Sequence, residues 1–297
     1  MSPAIDFRPQ GELRFEEPMA RHTSWRVGGP AEYFFRPASI EDLAAMLAAT
    51  PPEVAVFWCG LGSNLLVRDG GLRGLVVNTT GLLSEVRRLD ARRLQVGAGV
   101  PCTVLARHCV RHHLGPAEFF AGIPGTVGGA LAMNAGAYGG ETWSFVESVT
   151  TIDRQGQVHE RAPGDFTVGY RSVIRPGGEW FLAAVFRFRQ DPETSRERVQ
   201  ALMARRKQTQ PLGLPSCGSV FRNPPDDHAA RLIEAAGLKG HLIGGAQVSP
   251  KHANFIINTG TATAADIEAL IDHVQRRVAE VHGVELTHEV RIVGETT

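Results

Sequence analysis

Seven glycines fall within nineteen residues, Gly122-Ile-Pro-Gly-Thr-Val-Gly-Gly-Ala-Leu-Ala-Met-Asn-Ala-Gly-Ala-Tyr-Gly-Gly140, and no charge appears until Glu141. Glycine costs backbone entropy and offers no side chain to pack, so such a cluster needs a physical reason. One reason is close approach of main-chain N–H groups to a bulky anion, where a Cβ would intrude. Ala130, Ala132 and Ala135 keep the surroundings small and apolar, which suits a dinucleotide better than a bare phosphate. A tightly packed glycine-rich turn would explain the same composition.

A second turn, Cys59-Gly-Leu-Gly-Ser-Asn-Leu-Leu66, follows an apolar run and adds a hydroxyl and an amide. Two such turns point to one elongated ligand touched twice, with Ser63 and Asn64 bonding its pyrophosphate. The same two residues would equally cap an ordinary turn. Neither turn is a Rossmann fingerprint: Gly60-Leu-Gly62 lacks the third glycine, and Gly97-Ala-Gly99 has Cys102 where that glycine should fall. No Walker lysine is present. A dinucleotide here calls for a different fold.

The remaining reactive residue types are sparse. His108 and His112 share a helix face at i, i+4 beside Cys109 and His113, a spacing that could bind zinc. No third ligand at finger-like spacing follows, so a solvated helix flank, and no metal, is expected. The four cysteines, Cys59, Cys102, Cys109 and Cys217, lack CxxC spacing and read as free thiols of a reducing cytoplasm.

The chain of 297 residues carries 31 basic and 31 acidic groups, so no global field recruits nucleic acid or an anionic membrane. Lysine occurs only at Lys207, Lys239 and Lys251. The opening Met1-Ser-Pro-Ala-Ile-Asp-Phe-Arg has no apolar leader core, and no stretch has the length of a membrane span. A cytoplasmic monomer is the expectation.

The elements that must position these residues read as α+β rather than doubly wound. Ser39-Ile-Glu-Asp42 opens a helix to about Ala49, stopped by Pro51-Pro52. Strands are expected at Val54–Trp58, Leu75–Asn78, Leu94–Val96 and Phe181–Arg189, with a hairpin of Val146–Asp153 and Gln157–Arg161. Pro101 precedes a helix expected to end near Leu114-Gly115. A polar stretch, Asp191–Gln208, reads as a connector helix. Beyond it come a strand at Ser219–Arg222, a helix at Ala229–Ala236, strands at Gly245–Val248 and Phe255–Asn258, and a closing strand, Glu285–Val293. Between the last two, a long helix after Thr263 carries Ile267, Leu270, Ile271, Val274, Val278 and Val281 on one face.

Eight ordered segments then narrow the reading: Arg26-Val-Gly-Gly-Pro-Ala31, Gly62-Ser-Asn-Leu-Leu66, Gly122-Ile-Pro-Gly-Thr-Val-Gly-Gly129, Asn134-Ala-Gly-Ala-Tyr-Gly139, Gly169-Tyr-Arg-Ser172, Gly218-Ser-Val-Phe-Arg-Asn-Pro224, Ser249-Pro-Lys-His-Ala-Asn-Phe255 and Glu289-Val-Arg-Ile-Val-Gly294. Together they resemble the UDP-N-acetylenolpyruvoylglucosamine reductase family, from about Arg21 to Gly294. The resemblance implies a two-lobed FAD-binding domain of the vanillyl-alcohol-oxidase (PCMH) type and a smaller α+β substrate domain, divided as 1–80, 81–195 and 196–297. It implies FAD as cofactor, NADPH as hydride donor and a UDP-sugar as substrate, whose enolpyruvyl group is reduced to give UDP-N-acetylmuramate for peptidoglycan.

The resemblance also assigns residues. FAD contacts fall on Gly60, Leu61, Gly62, Ser63, Asn64 and Leu65, and on Gly122, Ile123, Pro124, Gly125, Thr126, Gly128, Gly129, Asn134, Gly136 and Ala137. Hydride addition to an enol ether conjugated to a carboxylate leaves negative charge to be stabilised and a carbon to be protonated. Arg171 is implied as the carboxylate's partner, Ser219 as proton donor, and Glu289 as a third group that makes sense beside that charge if it is protonated. Tyr170, Lys207 and Asn223 are implied to contact the UDP-sugar; Lys251 and His252 read as structural support. The short stretch between Arg171 and Ser219 resembles the family branch that lacks an extra tyrosine-bearing loop. The rival readings are another flavin oxidase or dehydrogenase on the same fold, and a nucleotide-sugar-binding protein without chemistry.

Overall fold

The computed structural model describes residues 5–297; residues 1–4, the start of the stretch read for a leader, lie outside the described residues. The chain divides into two compact units. One takes the chain up to Arg14, Phe34–Gly60 and Leu75–Arg205; the other takes Phe15–Tyr33, Leu61–Gly74 and Arg206–Thr297. Each unit is built from segments far apart in sequence.

In the first unit, α1 (Ile40–Ala49) begins with half of the expected capping box, the Ser39 hydroxyl accepting from the Asp42 N–H at 3.1 Å. Asp42 is buried and also accepts from the N–H groups of Gln10, Gly11 and Ala38, so the cap anchors the preceding chain as well. A five-stranded antiparallel sheet runs in the order Val158–Arg161, Val146–Ile152, Trp180–Arg187, Arg93–Gly97, Val86–Arg88. Its first two strands are the expected hairpin, in register from Val149↔Arg161 to Ile152↔Val158. Val56–Cys59 and Leu75–Asn78 pair in parallel.

The helix after Pro101 is shorter than expected. This helix, α2 (Cys102–Arg111), ends where His113 turns left-handed at φ 51, which frees Leu114–Gly115 to pair with Arg189–Gln190. The glycine segment contains α3 (Val127–Met133), which the glycine count concealed. Thr126 caps it, its Oγ1 accepting from Gly129 N–H at 3.3 Å, and Val127, Ala130 and Leu131 bury one face. The connector helix forms as α4 (Arg196–Thr209).

In the second unit, α6 (Ala264–His282) packs on a three-stranded sheet, Leu242–Ile243, Ala246–Val248 and Ile256–Asn258, and α5 (Ala229–Ala235) packs on α6. Five of the six expected apolar positions of α6 are buried; Val281, near its end, is exposed. Asp69 caps the start of α6, accepting from Ala264 and Ala265 at 3.0 and 2.9 Å. The core gathers Trp25, Leu66, Phe221, Leu232, Ile267 and Val274 with their neighbours. Trp25 donates its indole N–H to Ile256 O at 2.7 Å and accepts on its carbonyl from Asn258 Nδ2 at 2.9 Å. The closing strand is only Arg291–Val293, parallel to Leu65–Val67.

Candidate active site

Arg171 sits in the tight turn joining Thr167–Gly169 to Ser172–Ile174. Its φ of 50 places an arginine where such turns favour glycine, at a cost of roughly 1 kcal/mol or more. The side chain holds that geometry: Nη1 donates to Asn134 O at 3.2 Å and Nη2 to Gly136 O at 2.8 Å. Its guanidinium also lies 5.0 Å from the centroid of the exposed Tyr170 ring. Strain retained in this way is a mark of functional positions.

Asn134, expected at the cofactor, is 2% exposed and left-handed at φ 48. Its Nδ2 donates to Glu141 Oε2 and Gly169 O, and its Oδ1 accepts from Trp143 N–H. The residue therefore ties the glycine segment to the turn that carries Arg171. Its carbonyl is one of the two that grip the guanidinium.

Ser219 and Glu289 come together in the second unit. Glu289 N–H donates to Val220 O at 2.8 Å, and Arg222 N–H donates to Thr287 O at 2.9 Å around a single bridge, Phe221↔His288. The strand expected at Ser219–Arg222 is absent because a side chain occupies its other edge. Buried Asn254 accepts from Phe221 N–H on Oδ1 and donates to Phe221 O from Nδ2, while its own carbonyl accepts from Val220 N–H. Asn254 lies in the segment read as structural support, and its contribution to holding Ser219 was not foreseen. A buried asparagine within Lys251-His-Ala-Asn-Phe255 is the only sequence sign of it.

The turn after Gly60 meets the same strand. Asn64 Nδ2 donates to Glu289 O at 3.0 Å, and Asn64 O accepts from Arg291 N–H at 3.0 Å. Gly62 is left-handed at φ 60, and a Cβ on it would lie 2.0 Å from His22 O. Among the described residues the N–H groups of Leu61 and Gly62 meet no protein acceptor. Consecutive donors beside a left-handed glycine form an anion-binding nest, so this turn fits the pyrophosphate of FAD. In the other unit Gly129 at the start of α3 is open, with only Thr126 Oγ1 at 3.8 Å from a built Cβ.

Other glycines serve packing. A Cβ on Gly60 would meet Thr126 Oγ1 at 2.8 Å, on Gly122 the Tyr138 ring at 2.6 Å, on Gly128 the Ala98 Cβ at 2.9 Å, and on Gly136 the Gly140 carbonyl at 2.3 Å. Asn223 accepts on Oδ1 from Ala229 N–H at 3.1 Å, at the start of α5. Lys207 is exposed near the end of α4, and Lys251 Nζ donates to its carbonyl.

All four cysteines are free and buried, and burial pushes the Cys102 and Cys217 thiols up to about 12. No group of three or more His, Cys, Asp or Glu among the described residues could hold a metal ion. No helix among them is long and apolar enough to cross a membrane.

Two family models match the chain: an FAD binding domain over residues 31–161, and the UDP-N-acetylenolpyruvoylglucosamine reductase C-terminal domain over residues 210–293. A UDP-N-acetylenolpyruvoylglucosamine reductase of Alkalilimnicola ehrlichii is 62% identical over 286 residues, 96% of each chain. The chain belongs to the UDP-N-acetylenolpyruvoylglucosamine reductase family. A relative from Methylococcus capsulatus is 60% identical over 94% of this chain and 92% of its own. The crystal structure of the reductase from Thermus caldophilus superposes with a TM-score of 0.80 at 32% identity, covering 95% of this chain and 98% of that one. The mixed α/β architecture, an FAD-binding domain of PCMH type with the reductase family's C-terminal domain, is the one expected from sequence.

Proposed function

We propose that Arg171, Ser219 and Glu289 carry the chemistry of this family in this chain. The enzyme is an FAD-dependent oxidoreductase, UDP-N-acetylmuramate dehydrogenase, acting in peptidoglycan precursor synthesis with NADPH as hydride donor. Bound FAD supplies the hydride that adds to the enolpyruvyl double bond. The nest at Leu61-Gly62 would hold its pyrophosphate, and Gly122 to Gly129 are proposed as further cofactor contacts. Arg171 takes the substrate carboxylate, where charge builds as the double bond is reduced. Ser219 hands its hydroxyl proton to the α-carbon; a carbanion is a far stronger base than an alkoxide, so the transfer runs downhill. Glu289, protonated, donates a hydrogen bond beside the same charge.

Tyr170, Lys207 and Asn223 are the proposed contacts for the UDP-sugar, with Lys207 as a point charge on the diphosphate. We read 1–80 and 81–195 as cofactor lobes and 196–297 as the substrate domain, and the enzyme as a cytoplasmic monomer. The shorter branch is supported by the stretch from Arg171 to Ser219, which holds the eight-residue strand Trp180–Arg187, two shorter strands and α4.

One observation carries this reading: the Glu289 main chain bonds both to Val220, next to Ser219, and to Asn64 of the nest turn. The test is anaerobic stopped flow on Ser219→Ala, following flavin colour. NADPH should bleach the flavin at the wild-type rate, while recovery of colour on adding the enolpyruvyl sugar slows by ~10²–10⁴. Equal slowing of both phases refutes the role given to Ser219. Recovery by oxygen alone, with indifference to the sugar, would instead favour a flavin oxidase.

A further inference from the structure

The first unit holds a cavity of about 840 Å³ that none of the residues proposed for flavin or UDP-sugar lines. Its volume falls within the roughly 300–1,000 Å³ of small-molecule sites. Phe119 and Phe145, with ring centroids 5.6 Å apart, give it an aromatic side, and Tyr138 stands at its rim. Gly140 makes that side possible, since a Cβ there would lie 2.5 Å from the Phe119 ring. Helix α4 contributes Arg198 and Leu202, and the Tyr138 hydroxyl donates to Leu202 O at 3.1 Å.

Glu118 lines the same cavity and is only 8% exposed. Its Oε2 accepts from Ala117 N–H at 3.0 Å, whereas Oε1 is buried with no hydrogen-bond donor. The nearest charge, Arg198 Nη1, stands 3.8 Å away, beyond hydrogen-bond distance, and Arg198 Nη2 donates to Glu193. A buried carboxylate oxygen left without a donor costs free energy that a suitable ligand would recover. We propose that this cavity is a second ligand site, which takes a nucleobase-sized planar heteroaromatic, its ring against Phe119 and Phe145 and an N–H group donating to Glu118 Oε1.

The probe is 2-aminobenzimidazole, titrated into the flavin-loaded enzyme by calorimetry, with 1-methylbenzimidazole as a flat ring that has no N–H. The amine should bind saturably at one site per chain, and the methyl compound at least ten-fold more weakly. Glu118→Gln, which keeps shape but removes charge assistance, should weaken the amine by roughly ten-fold. Leu202→Trp, which fills the cavity from α4, should abolish binding while the flavin spectrum stays intact. If Glu118→Gln fails to retain flavin, Leu202→Trp alone decides. Equal affinity for the two compounds, or undiminished binding to Leu202→Trp, overturns the proposal. Displacement of the amine by UDP also overturns it, because the cavity would then belong to the substrate site.

Discussion

Arg171 is held by its own side chain: two nitrogens donate to the carbonyls of Asn134 and Gly136, and the guanidinium stacks on Tyr170. Ser219 and Glu289, in the other unit, are placed through main-chain bonds around Phe221↔His288 and through the amide of Asn254. The contrast follows from the freedom that a long and a short side chain have to lose. A long cation loses rotamer entropy when fixed, so a built grip of acceptors prepares it in advance. A short hydroxyl has little freedom to lose, and locating its Cα nearly locates its oxygen.

The comparison can be broken at either end. The largest effect is expected for Arg171→Met, which should cut turnover by ~10²–10³ while flavin content is retained. Arg171→Lys should be nearly as poor, since an ammonium cannot reproduce both carbonyl bonds from one planar fork; recovery to within a few-fold of wild type would show that the grip is unimportant. At the main-chain end, Asn254→Ala orphans the N–H and C=O of Phe221 and should cost about 2–4 kcal/mol. That loss is read as a lower midpoint in urea unfolding. An unchanged midpoint would mean that the bridge to His288 suffices.

A control lies in a second arginine held by its side chain, but against a carboxylate. Arg161 pairs with Glu179, which is 5% exposed and also accepts from Thr151 Oγ1 at 2.6 Å. The Arg161 bond, foremost, holds the Glu179 carboxyl below its ordinary 4.5 against the opposing pull of burial. Because the folded value is the lower one, the pair stabilises the fold above about pH 4.5 and that stability is lost as pH falls through the folded value. Arg161→Ala should therefore lower the urea midpoint at pH 7, and lower it less in acid. A pH-independent gap between the two proteins would contradict the assignment. The smallest effect, about 1 kcal/mol, is expected for Asn64→Ala, with weaker flavin retention measured by dilution.

How much of this could be read in the chain depended on where the determining contacts lie. Helix α1, the hairpin across Arg154–Gly156 and the buried stripe of α6 are local, and their caps and periodicities state them openly. Helix α3 was hidden because Gly128 and Gly129 lower helix propensity; only the Thr126 cap and the packing of Leu131 recover it. The expected strand at Ser219–Arg222 gave way to an asparagine more than thirty residues onward, a contact no period reveals. The site residues were named through ordered motifs, whereas their geometry was not: nothing about Tyr170-Arg171 announces a left-handed arginine. The glycine clusters carried two messages at once. Leu61-Gly62 and Gly129 leave donors or room for a ligand, while Gly122, Gly128 and Gly136 let neighbouring groups close in.

The parallel pairing of Leu65–Val67 with Arg291–Val293, and the Asp69 carboxylate at the head of α6, have a consequence for the order of events on the ribosome. The nest turn is synthesised early, yet its neighbour strand, Arg291–Val293, follows more than two hundred residues later. Until then Leu66, wholly buried in the finished protein, has no partner on that side. The turn proposed for the pyrophosphate therefore cannot complete its sheet pairing until Arg291–Val293 has been made.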